Sequence, residues 1–139
     1  PKIEMSEKII MLVTMASQFL SLPVPVEMPV VEYVPQSFLQ KKICAGKKCP
    51  VEALHEDGKI YMSNTTKNKK EVMHDSILLH EIVHFVQFKN GKILNTCEGL
   101  REMEDQAYAL QEFFLNDNGV YLGGPLRFGA MELNCNENR

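Results

Sequence analysis

The sequence predicts an α+β fold: a small, mostly antiparallel sheet packed on two central helices, with a further helix at the N-terminus. Two segments have helical spacing, around Ile9–Leu20 and Ile77–Phe88, and a third, Arg101–Glu112, is rich in helix formers. Between the first two lie short stretches of strand character, two of them flanking Asp57-Gly58, a dipeptide favoured in tight hairpins. At 139 residues the chain has the length of one domain, taken as 1–139.

The first helix begins near Ser6. Ile9, Leu12, Val13, Ala16, Phe19 and Leu20 fall on one face, while Glu4, Glu7, Thr14, Ser17 and Gln18 spoil any reading as the apolar part of a signal peptide. Pro23, Pro25, Pro29 and Pro35 forbid a helix in the next stretch, and Val30–Val34 has the β-branched and aromatic character of a strand. Ser37–Ile43 suits a short helical turn. Val51–Leu54 and Lys59–Met62 are expected to pair across Glu56-Asp57-Gly58, and a polar loop, 63–70, leads to the next helix.

That helix is expected to start near Lys70 or Glu71 and to stop at Lys89-Asn90-Gly91. The following helix, built on 101–112, is rich in good helix formers and free of glycine and proline, and Asn116-Asp117-Asn118-Gly119 ends it. Gly123-Gly124-Pro125 then breaks the chain before 126–133. This tail reads as an irregular surface stretch, with a lid over a neighbouring cleft as the alternative.

Hydrophobic residues make up 45% and charged residues 24%, and the net charge is −3, which gives no electrostatic case for nucleic acid or an anionic membrane. The lysine pairs 41–42 and 47–48 and the cluster 67–70 read as solvated surface. No segment is long enough for a membrane span.

Four cysteines allow three pairings. Cys44 and Cys49 enclose a short flexible loop, so 44–49 with 97–135 is the preferred pairing. Free thiols or a four-cysteine zinc site are the alternatives, the latter lacking the usual C-x-x-C spacing. With a chain that begins at Pro1 rather than Met, disulfides point to a periplasmic or secreted protein, with the cytoplasm as the alternative.

Chemistry is concentrated in His80-Glu81-Ile82-Val83-His84, an H-E-x-x-H. Residues four apart share a helix face, so both imidazoles can reach one zinc ion while Glu81 leans over the open position. One extended form of the motif needs glycine and histidine where this chain has Gln87 and Asn90, and is excluded. A third ligand from the later helix is the other common solution, and that region offers Glu98, Glu102, Glu104, Asp105 and Glu112. His55 and His74 read as surface histidines, the latter about 240° around the helix from His80.

H-E-x-x-H followed some twenty residues later by Glu104-Asp105-Gln106-Ala107 resembles the gluzincin type of zinc metallopeptidase, and within it the small single-domain minigluzincin-like proteins. The resemblance covers Lys59 to Gln111. It implies a zincin-like fold, one zinc per chain held by His80, His84 and Glu104, and a small Ala107 that lets the two helices approach. It also implies that a sheet edge near Lys59–Met62 holds an extended peptide substrate. Where gluzincins often carry an aspartate that orients a metal-bound histidine, this chain has Tyr108, which leaves that partner unassigned.

The implied activity is peptide hydrolysis by a zinc-activated water with Glu81 as general base. Tyr108, Tyr121 and Arg127 are candidate donors to the oxyanion or substrate. The expected substrates are short peptides or flexible segments. Alternatives are a zinc-binding but catalytically silent or latent binding or inhibitory module, and a metal-free helical interaction domain.

Overall fold

The computed structural model describes residues 3–92 and 95–122. Helix α1 (Met5–Leu20) is followed by strand β1 (Val30–Val34), helix α2 (Gln36–Cys44), strands β2 (Ala53–Glu56) and β3 (Lys59–Ser63), a 3₁₀ turn at Asn64–Asn68, and helices α3 (Glu71–Lys89) and α4 (Cys97–Asp117). The expected α+β class is what the chain adopts.

The sheet is mixed, in the order β1-β3-β2. β2 and β3 pair antiparallel across the expected turn, where Asp57 (φ 51°) and Gly58 (φ 86°) are both left-handed, as a two-residue hairpin of the right twist requires. β1 lies parallel to β3, from Val30 beside Lys59 to Val34 beside Ser63. The sheet is therefore less antiparallel than expected. This also corrects the placing of Lys59–Met62 at a sheet edge: β3 is central, because β1 pairs with its other side, and the edges are β1 and β2.

α3 runs through the middle of the molecule, packed against α1, α4, β2 and β3. Being surrounded, it is apolar on most faces: Leu78, Leu79, Ile82, Val83, Phe85 and Val86 are all buried. α1 contributes Ile9, Leu12, Val13 and Ala16 to this core, as its spacing predicts, but Phe19 turns outward. α4 contributes Ala107 and Leu110. Thr96 caps α4 by accepting the Gly99 N–H at 3.0 Å, which starts the helix four residues before Arg101. Ser37–Ile43 is longer than a turn, forming the nine-residue α2.

Cys44 and Cys49 form the local disulfide expected, which is compatible with an extracellular or periplasmic location. Cys97 is also disulfide-bonded; Cys135, its expected partner, lies outside the described residues. No helix among the described residues is long and apolar enough to cross a membrane.

Candidate metal centre

Midway along α3, His80 and His84 lie one turn apart and present their Nε2 atoms to the same point. α4 brings Glu104 there from the facing helix, with its Oε1 2.9 Å from His80 Nε2 and 2.8 Å from His84 Nε2. Ala107, fully buried one turn farther along α4, leaves no bulk between the two helices. The expected trio is thus assembled by packing alone, and its ligand atoms all lie within 4.8 Å of one another.

The opposite nitrogen of each ring is also held. His80 Nδ1 lies 2.9 Å from Gln111 Oε1, and His84 Nδ1 lies 2.9 Å from Gln87 Oε1. Backbone carbonyls set the direction of both chains. Ser76 Oγ donates to the Met73 carbonyl at 2.8 Å, so it accepts from Gln111 Nε2 at 3.4 Å. Gln87 Nε2 donates to the Met103 carbonyl at 3.2 Å and to Gln106 Oε1 at 2.8 Å. Each carboxamide oxygen is therefore left as an acceptor, and each Nδ1 carries the proton.

It follows that both Nε2 lone pairs and the Glu104 carboxylate converge as acceptors, and such a set needs a cation. A proton can serve. Burial works against it at His84, but the Glu104 hydrogen bond and the charges of Glu81 and Glu104 outweigh burial and raise its pKa to about 9. Burial would likewise raise the Glu104 carboxyl, but its bonds to His80 and His84 hold it well below the usual carboxylate range. A divalent ion satisfies the same demand more fully. The three ligand atoms lie close enough together to hold a metal ion. Two imidazoles and a carboxylate suit zinc chemically.

Glu81 follows His80 on α3 and is 9% exposed. It lies close enough to His84 and Tyr108 for its charge to act on both. Tyr108 packs its ring edge-on against His80, with centroids 4.4 Å apart. Burial, then the charges of Glu104 and Glu81, raises its phenol pKa, so it keeps its proton.

The remaining candidates among the described residues are not gathered here. Tyr121 is 76% exposed beyond the end of α4, roughly 20 Å of helix from Glu104. Arg127 lies outside the described residues. Glu98 and Glu102 are exposed, and no described contact joins Glu112 to the trio.

Two histidines read as surface residues are not. His74 is buried, with Nε2 2.6 Å from the Tyr33 hydroxyl and Nδ1 2.8 Å from Asp75 Oδ1, and the Tyr33 ring of β1 stacks on it. His55 is partly buried, its ring edge-on to Phe85 and Phe88 of α3 and its Nε2 accepting the Gly58 N–H at 3.1 Å. Burial, reinforced by His84, lowers its pKa to about 4.

Gln87 and Gln111 were not anticipated as partners of the histidines. Their positions carried a signal: three residues after His84 on α3, and seven after Glu104 on α4, each is a same-face neighbour of a ligand.

No curated protein and no solved structure matches the chain. Its sequence does match, over residues 4–138, the family described as Domain of unknown function (DUF6647), and the chain belongs to that family.

Proposed function

We propose that the protein is a zinc-dependent metallopeptidase of gluzincin type, holding one zinc ion through His80, His84 and Glu104. The observation that carries this reading is the convergence of those three acceptors beside Glu81, whose charge acts on both His84 and Tyr108. A purely structural site has no use for such a neighbour.

His80, His84 and Glu104 would hold the zinc ion, which would supply a Lewis acid and lower the pKa of a bound water to about 7. Glu81 would be the base, its carboxylate accepting a proton from the attacking water and passing it to the leaving amine. Tyr108 keeps its phenolic proton and lies against His80, so it is a neutral donor for the developing oxyanion. β2 replaces the Lys59–Met62 stretch as the edge that would align a peptide, since it is the sheet edge packed on α3.

Glu81→Gln separates this reading from a zinc-binding module without activity. It is expected to retain zinc and to lose hydrolysis of a mixed peptide library. Hydrolysis surviving the change would remove Glu81 from the mechanism, and no hydrolysis by the zinc-loaded parent would favour the silent module.

A further inference from the structure

Resting on the metal-centre reading, we infer that Gln111 and Gln87 are positioning residues: two uncharged carboxamides that fix the metal-binding tautomer of His80 and His84. The nitrogen of a histidine that meets a metal is set by the hydrogen bond its other nitrogen makes. At this site both of those bonds run to glutamine, and the direction of each is dictated from a backbone carbonyl.

On the His80 side the chain runs from the Met73 carbonyl through Ser76 and Gln111. Every group in it except the imidazole has its proton committed. Only Nδ1–H can complete the chain, which leaves the Nε2 lone pair free toward Glu104. On the His84 side the Met103 carbonyl and Gln106 hold the amide of Gln87 in the same way. Gln87 and Gln111 are themselves buried, 2% and 8% exposed, so water does not compete for these contacts.

The choice of amide over carboxylate has a consequence. A carboxylate in the same place would push negative charge onto the imidazole and make it a stronger ligand. A carboxamide fixes the tautomer without that charge. Metal affinity is then set below what a carboxylate would give, and the bound ion stays more electrophilic.

The test uses the full chain and measures zinc affinity by competition with a chelator, together with the thermal midpoint of the zinc-free protein. Gln111→Met, of similar shape but lacking the acceptor, is expected to bind zinc about 10- to 100-fold more weakly. Gln111→Glu, which keeps an acceptor oxygen, is expected to restore parental affinity or exceed it. A merely structural glutamine would lower the midpoint of both variants and leave zinc affinity unmoved.

Parental affinity in Gln111→Met overturns the inference, as does a Gln111→Glu variant as weak as Gln111→Met. Should Gln111→Met fail to fold, Ser76→Ala serves: it leaves Gln111 in place but frees its amide to turn. Weaker zinc binding supports the inference, and unchanged binding overturns it. If the parent binds no zinc, the metal-centre reading itself falls and takes this one with it.

Discussion

Tyr108 lies edge-on against His80, one helical turn beyond Glu104, with ring centroids 4.4 Å apart. The phenol thus has two separable roles, packing the ligand ring and offering a proton. Tyr108→Phe keeps the first and removes the second. The expected outcome is unchanged zinc affinity with kcat for peptide hydrolysis reduced on the order of 100-fold. Parental kcat in this variant would exclude the hydroxyl as the oxyanion donor.

Ala107 ties the fold to the site. It is fully buried between α3 and α4, and a leucine there must force the helices apart or strain their side chains. Ala107→Leu is expected to cost about 1–3 kcal/mol in stability. Because Glu104 rides on α4, zinc affinity is expected to fall with it. Calorimetry and chelator competition on one preparation read both, and full affinity in the leucine variant would mean that close helix approach is not what places Glu104.

His55 is expected to make the fold less stable in acid. Its folded pKa, lowered to about 4 by burial and by His84, lies below the ordinary value of 6.5. Between those values the unfolded chain binds a proton that the folded chain does not, so stability falls as pH drops from about 6.5 toward 4. Its partial exposure limits the loss to roughly 1–3 kcal/mol. His55→Phe, packed on the same Phe85 and Phe88, is expected to flatten urea midpoints measured across that range. An unchanged pH dependence would assign the effect to other groups.

The Cys44–Cys49 bridge closes a loop of sequence separation 5, and no described contact joins it to His80, His84 or Glu104. Replacing both cysteines by serine is expected to lower stability by about 2 kcal/mol on chain-entropy grounds. Zinc affinity should be unaffected. Denaturant unfolding and metal titration check the two halves of that statement.

Much of this was legible in the sequence because it rests on local rules. The spacing of His80, Glu81 and His84 on an apolar segment fixes their shared face, Asp57-Gly58 fixes the hairpin, and Asn90-Gly91 ends α3. What was misread depends on neighbours distant in the chain. His74 looks exposed until Tyr33 of β1 lies over it, 41 residues away in sequence. His55 looks like a turn residue until β2 packs on α3. The parallel pairing of β1 with β3 has no local signature, and with it went the placing of the sheet edge. The roles of Gln87 and Gln111 depend on the packing of α4 against α3, which orients each carboxamide toward a ligand histidine.

The most direct measurement is the zinc content of the 139-residue chain after incubation with the metal and removal of excess, with Glu104→Ala treated in parallel. About one zinc per chain in the parent, lost or greatly weakened in the variant, is the predicted result. A parent that retains no zinc would contradict the account, leaving His80, His84 and Glu104 as a buried hydrogen-bonded cluster.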